Sequence, residues 1–324
     1  MGRRIGRILI RAVVTLVMVM SLNFILFRVI PGDPAQLLLA GARSSVTEQQ
    51  MDGLRREWGL DKPLPEQAVD YVWSTLHGNL GYSFKFRGER VADLLLARLP
   101  ATLALVGVAQ LFAIVFGVML GLYAGWRRGG AIDNVATGTS LALYSTPVFW
   151  LGMLMVLVFS TTLGWFPGYG AYSPTGGAGG ALSWLADRLR HLVLPAATLA
   201  LGLAGQYVLV ARAAMSDVVT EDYMVTARAK GLTGRQMLMR HAFRNAMLPV
   251  VTLITLNLGY VVAGAITVEA VFNWPGIGGL TVEALNARDY PVLQGIFLLL
   301  GASIVIANTV ADLTYGLLDP RVRQ

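Results

Sequence analysis

Residues able to do covalent or metal chemistry are few in this sequence, and they are scattered. Cysteine is absent, which removes a thiol nucleophile, a disulfide framework and a thiolate metal site. His77, His191 and His241 lie far apart and make no ligand spacing. No Walker A phosphate loop, HExxH zinc pair or GxSxG nucleophile elbow occurs. The expectation is a chain with no catalytic residue, no metal site and no cofactor of its own. Its polar chemistry takes two other forms. Neutral side chains stand inside apolar runs (Gln110, Ser140, Gln206, Asn257 and Asn308), and a basic stretch covers 220–249. Neutral amides and hydroxyls in apolar runs make interhelical hydrogen bonds more often than they contact a substrate.

The basic stretch reads TEDYMVTARAKGLTGRQMLMRHAFRNAMLP. Thr220 suits a helix N-cap, and Glu221 and Asp222 fall in the first turn, where the helix dipole favours anions. Arg228 and Lys230 close the last turn, and Gly231 stands where a left-handed C-terminal glycine is expected. Thr233 begins again, with Gln236 at capping-box spacing. The pattern predicts a short helix, a glycine turn and a second helix entering the next apolar run. Such a unit suits a groove on a soluble partner. A solvated basic loop held inside by its charge accounts for the same residues.

The elements that position these residues are set by composition. Hydrophobic residues make up 55% of the 324 and charged residues 14%, against roughly a quarter in soluble domains. Mean hydropathy is +0.59. A bilayer-spanning helix needs roughly 20 mainly apolar residues, and the stretches 9–30, 101–125, 136–163, 192–211, 247–268 and 292–314 qualify. Lipid demands internally satisfied backbone, so an all-α membrane protein with six transmembrane helices is expected. Pro147 predicts a kink or a shortened third span. The basic N-terminus followed by an apolar run suggests a signal peptide, but its length and the absence of a small-residue cleavage site favour a retained first span.

Net charge is +7, but the basic residues flank apolar runs and form no single stripe, so nucleic acid is not an expected partner. Arg3, Arg4, Arg7, Arg11, Arg127, Arg128, Arg212, Arg228, Lys230, Arg235, Arg240, Arg244, Arg321 and Arg323 fall on one side if the N-terminus is inside. The short outer loops then hold Arg188 and Arg190 in one and Arg288 in the other, which puts both termini in the cytoplasm. The outer segment 31–99 has eight basic and nine acidic residues, and segments of that length cross largely regardless of charge. Within it helices are expected at 46–58 and 64–76, and 91–99 leads amphipathically into the second span through Leu94, Leu95 and Leu99. Trp58, Tyr71, Trp73, Tyr82, Phe84 and Phe86 suit the packing of a small outer subdomain with some interfacial contact. The glycine-rich 168–180 reads as a flexible outer loop, and Gly117 and Gly121 as a weak close-packing signal. Glu269 and Asp312 sit at span ends, whereas a proton-coupled carrier needs a carboxylate near the midplane.

Ordered motifs along nearly the whole chain resemble one family. Pro31-Gly32-Asp33-Pro34, Gly59-Leu60-Asp61-Lys62-Pro63-Leu64 and Gly78-Asn79-Leu80-Gly81-Tyr82-Ser83 match its N-terminal part. Thr146-Pro147-Val148-Phe149-Trp150-Leu151-Gly152, Leu163-Gly164-Trp165-Phe166-Pro167, Val271-Phe272-Asn273-Trp274-Pro275-Gly276 and Arg288-Asp289-Tyr290-Pro291 match further on. These resemble the permease subunits of dipeptide/oligopeptide/nickel-type ABC importers, with a type I transmembrane domain. The stretch 223–245 resembles the family's cytoplasmic EAA loop, in which a short coupling helix seats in a cleft of the ATPase. Ala227, Arg228, Ala229 and Gly231 match its core, and His241 and Asn245 its distal part. Val225, Thr226 and Arg244 depart from the usual Glu, Ala and Pro.

The resemblance implies a division into 1–30 (tail and first span), 31–99 (extracytoplasmic subdomain), 100–316 (transmembrane domain, with the EAA-like loop at 212–246) and 317–324 (cytoplasmic tail). It implies ATPase coupling through Tyr223, Thr226, Ala227, Arg228, Ala229, Lys230, Gly231, Leu232, His241 and Asn245. Gln206, Asn257 and Asn308 become translocation-path residues, and Phe272, Asn273 and Trp274 form either a re-entrant gate or an interfacial turn. The implied partners are a second homologous permease, one or two ATPase subunits that carry ATP and Mg, an extracytoplasmic solute-binding protein and the lipid bilayer. A bacterial or archaeal cytoplasmic membrane is the implied location. An ion-coupled secondary carrier and a non-transporting membrane scaffold are the competing classes.

Overall fold

The structure, a computed structural model, describes residues 2–29, 61–86, 88–174 and 179–318. The described residues are helical apart from turns and one isolated antiparallel bridge, Tyr82–Arg90. The chain divides into two compact units, Met1–Pro100 with Gly279–Gln324, and Ala101–Gly278. The helices in chain order are α1 (Gly2–Phe24), α2 (Leu64–Leu76), α3 (Val91–Trp126), α4 (Ala131–Ser145) and α5 (Val148–Met155). Then follow α6 (Ala181–Val219), α7 (Asp222–Ala229), α8 (Gly234–Met237), α9 (Phe243–Phe272), α10 (Ile277–Ala287) and α11 (Tyr290–Leu318).

In the first unit, α1 continues through a π-helical turn, Ile25–Val29, and packs along α11. Gly301 makes that approach possible, because a Cβ there would lie 2.4 Å from Val19. Asn23 Nδ2 donates to Gln294 O at 2.9 Å, and the Phe27 and Phe297 rings meet at 5.5 Å. Helix α2 forms over the expected residues, with Pro63 and Pro65 suited to a helix start. It buries none of its side chains, and Trp73 is two-thirds exposed. Tyr71 nevertheless meets the Phe24 ring at 5.7 Å. Among the described residues of segment 31–99, Trp73 and Tyr82 are exposed. The expected 46–58 helix, Trp58 and the Pro31–Pro34 motif lie outside the described residues. Asp289, fully buried, organises the 83–86 turn by accepting from Ser83 Oγ at 2.5 Å and Lys85 N at 2.9 Å.

The second unit has its core along α6, which packs against α9, α4 and α5. Gly117, Gly121 and Gly125 put a small-residue stripe of α3 against α6. A Cβ would come within 2.8 Å of Tyr207 Cβ at Gly117, 2.4 Å of Val208 O at Gly121 and 2.5 Å of Arg212 O at Gly125. Close backbone approach of this kind is how apolar helices associate without a hydrophobic driving force.

Among the described residues, Ile5–Phe27, Val91–Trp126, Ala181–Val219 and Tyr290–Val310 are long and apolar enough to cross a membrane. A fifth exists if Ala131–Ser145 and Val148–Thr162, bent by 103°, count as one. The break falls where Pro147 fixes φ at −58° and Thr146 is held extended, as residues before proline tend to be. The expected third span is therefore two helices meeting at a steep angle. The expected 192–211 and 91–99 segments are parts of longer helices, α6 and α3, with Pro195 and Pro100 inside them. The expected 247–268 stretch lies within the 30-residue α9.

Candidate functional site

Between α6 and α9 the chain forms a compact helical hairpin. Helix α6 runs on to Val219 and takes Thr220 as its C-cap, with Thr220 Oγ1 donating to Asp217 O at 2.7 Å. The N-cap of α7 is Glu221, one residue later than the sequence suggested, because the threonine hydroxyl serves the preceding helix. Helix α7 ends in a complete Schellman motif: Gly231 N–H donates to Arg228 O at 3.0 Å and Leu232 N–H to Ala227 O at 3.3 Å. Gly231 has φ +77°, in the left-handed region that favours glycine. The capping box at α8 is formed, with Gln236 N donating to Thr233 Oγ1 at 3.3 Å and Thr233 N to Gln236 Oε1 at 2.9 Å. Such a cap is worth about 1 kcal/mol. A π-helical turn, Leu238–Ala242, then joins α8 to α9.

One face of α7 is anchored and the other is free. Met224 and Ala227, three residues apart, are buried with Met237, Ala242 and Ala246. Burying a methionine side chain stabilises by roughly 1.5–3 kcal/mol. Tyr223, Val225, Thr226, Arg228, Ala229, Lys230 and Gly231 are exposed. Leu232 is half-buried, as is His241. Asn245 Nδ2 reaches across to Tyr223 OH at 2.9 Å and also donates to His241 O at 3.1 Å. The two ends of the basic motif, 22 residues apart in sequence, are thereby tied together. The result is a stiff, small, basic projection with an apolar root.

A second constellation lies within the same unit. Asn257 Nδ2 donates to Gln206 Oε1 and to Tyr207 OH, both at 3.2 Å, and Gln110 Nε2 donates to the same tyrosine oxygen. Tyr207 and Gln110 are buried, while Gln206 and Asn257 are half-buried. The cluster cross-links α3, α6 and α9 with uncharged groups, the glue expected where lipid surrounds the helices. Phe272 and Trp274 are buried; Trp274 Nε1 donates to Ala101 O at 2.9 Å, and Asn273 takes the left-handed conformation at φ +47°. Asn308 is half-buried on α11, in the other compact unit.

Three groupings escaped the sequence. Tyr207 sits unmarked in an apolar run. Glu269 is fully buried, accepting from Thr102 Oγ1 at 2.7 Å and Gly278 N at 2.6 Å. Asp133, also buried, binds Arg212 in a two-point fork, Nε–Oδ1 2.8 Å and Nη2–Oδ2 2.9 Å. A carboxylate flanking an apolar run was the only available signal for the last two.

The described residues thus provide long apolar helices, one sharply bent helix pair and a projecting polar hairpin. The fold is similar to chains of the MetNI methionine ABC transporter in inward-facing crystal forms. One such comparison covers 70% of this chain and 96% of the other at TM-score 0.55 and 18% identity; another gives TM-score 0.56 at the same coverage and identity. Sequence comparison is more specific. Residues 117–324 match the family described as binding-protein-dependent transport system inner membrane component, and residues 1–106 match the N-terminal region of such membrane components. The chain belongs to this family of multi-pass inner-membrane permease components of ABC importers. It is 41% identical to the Di/tripeptide transport system permease protein DppB of Pseudomonas aeruginosa, over 93% of both chains. It is 38% identical to the Dipeptide transport system permease protein DppB of Escherichia coli K12, over 99% of this chain and 97% of that one. It is also 38% identical to the Glutathione transport system permease protein GsiC of Escherichia coli O6:H1, over 95% of both.

Proposed function

We propose that this chain is one of two permease subunits of a peptide importer, and that the 220–245 hairpin is where an ATPase subunit engages it. Relatives whose names specify dipeptide, di/tripeptide and glutathione transport support small peptides as the substrate class. In this reading six spans cross the inner membrane with both termini in the cytoplasm, α9 and the bent α4–α5 pair each counting once. Segment 31–99 is extracytoplasmic, and with 269–290 it receives the solute-binding protein. ATP and Mg are held by the partner ATPases. Closure of the ATPases on ATP moves α7, the spans rock to face outward, and hydrolysis reverses the motion. ATP must bind the outward state more tightly than the inward one, since equal affinity shifts nothing. Gln206, Asn257 and Asn308 supply neutral polar groups along the path.

The observation that carries this reading is the exposed face of α7 above a buried Met224–Ala227 root. Because the chain has no cysteine, one introduced thiol is unique. In the assembled transporter, Val225→Cys should cross-link to the ATPase subunit with a short thiol reagent, and Met224→Cys should not. Equal labelling of the two, or cross-linking of neither to an ATPase that co-purifies, would contradict the assignment. An ion-coupled carrier or a scaffold would co-purify with no ATPase.

A further inference from the structure

We propose that Asp133 and Arg212 are positioning residues that fasten the base of the coupling hairpin to the helical bundle, so that movement of the hairpin is carried into the membrane. This rests on the reading above that 220–245 receives the ATPase.

Arg212 lies on α6 seven residues before its last residue, about two helical turns above the hairpin. Asp133 lies in the first turn of α4. Each carboxylate oxygen receives one guanidinium nitrogen, at 2.8 and 2.9 Å, the parallel geometry that fixes orientation as well as distance. Asp133 Oδ2 also accepts from Gly129 N at 2.9 Å, which ties down the short turn between α3 and α4. At the same level α3 meets α6 backbone to backbone, since a Cβ on Gly125 would fall 2.5 Å from Arg212 O. The end of α3, the start of α4 and the end of α6 thus converge on one side chain.

Asp133 is 2% exposed and Arg212 33%. A buried ion pair adds little net stability over apolar packing of the same volume. What it adds is a joint that neither slides nor rotates without separating charges. A single hydrogen bond or an apolar contact allows α6 to pivot against α4. A pivot at this point lets α7 follow the ATPase while the spans stay still.

The test uses the whole transporter in lipid vesicles, with its partner permease, ATPases and binding protein, and labelled dialanine as the probe. Uptake and ATP hydrolysis are read in the same samples. Asp133→Asn should keep ATP hydrolysis near wild type while dialanine moved per ATP falls well below the wild-type ratio. The apolar replacement Asp133→Leu with Arg212→Met should assemble and still be uncoupled. The charge exchange Asp133→Arg with Arg212→Asp should recover part of the coupling. Asp217→Asn, an exposed carboxylate on the same helix, should change nothing. Normal dialanine per ATP in Asp133→Asn or in the apolar pair would overturn the proposal. So would failure of all three Asp133 variants to assemble, which would assign the residues to folding alone. A wild-type transporter from which no ATPase co-purifies would instead overturn the reading that 220–245 receives the ATPase, and this proposal with it.

Discussion

Two turns in the Ala101–Gly278 unit depend on glycine for opposite reasons. At Gly231 the surroundings are open, with nothing within 4 Å of where a Cβ would sit, and the residue is required by φ +77°. At Gly276 the reverse holds: a Cβ would lie 2.3 and 2.4 Å from the Glu269 carboxylate oxygens and 2.4 Å from Thr102 Oγ1. The first turn is held by its own caps and presents basic side chains to solvent. The second is wrapped around a buried carboxylate that also orders the chain entering α10, with Ile277 N donating to Thr102 Oγ1 at 2.8 Å. A turn built from local caps can move as one piece and carry its motion down through the buried Met224–Ala227 root. A turn built on a buried tertiary network cannot, and serves as a brace. On the proposed reading, 220–245 is the part that moves and 269–278 the part that holds.

The comparison is broken most severely at the brace. Gly276→Ala drives a methyl group into the carboxylate and displaces its donors. Overpacking together with the lost charge-assisted hydrogen bonds should cost about 3 kcal/mol or more. Thermal unfolding in detergent should show a large drop in Tm, with ATP hydrolysis and uptake lost in proportion to folded protein. An unchanged Tm would mean that the network around Glu269 is not a brace.

The hairpin at 220–245 should respond less and differently. Gly231→Val has room for its side chain but must hold a left-handed conformation, at about 1–2 kcal/mol. Its Tm should fall less than that of Gly276→Ala, while substrate moved per ATP drops because the end of α7 is misplaced. Normal transport by this variant would remove α7 from the coupling role.

What could be read from the sequence follows the same division. The hairpin was legible because its determinants are local: Gly231 after Arg228 and Lys230, and Thr233 followed by Gln236. Its one displacement, the N-cap moving from Thr220 to Glu221, arose because α6 outlasted its apolar pattern and claimed the threonine. Pro147 announced the break in the third apolar stretch but not its 103° angle, which depends on what α4 and α5 pack against. That Gln110, Gln206 and Asn257 make interhelical hydrogen bonds was legible, but the partners across the bundle were not. Thr102 and Glu269 are 167 residues apart, Gln110 and Tyr207 97, and Asp133 and Arg212 79. No local pattern pairs a carboxylate with a partner at such distances. Gly125 continues the four-residue spacing of Gly117 and Gly121 and was legible in principle, though only those two were singled out.

The most direct test of the whole account compares the chain by itself with the assembled transporter in sealed vesicles, following accumulation of labelled dialanine. The assembly should concentrate the dipeptide only when ATP is present on the ATPase side. The isolated chain should concentrate nothing, whether the vesicles carry a proton gradient, a sodium gradient or none. Gradient-driven accumulation by the isolated chain would contradict the claim that its power comes from a partner through the hairpin at 220–245.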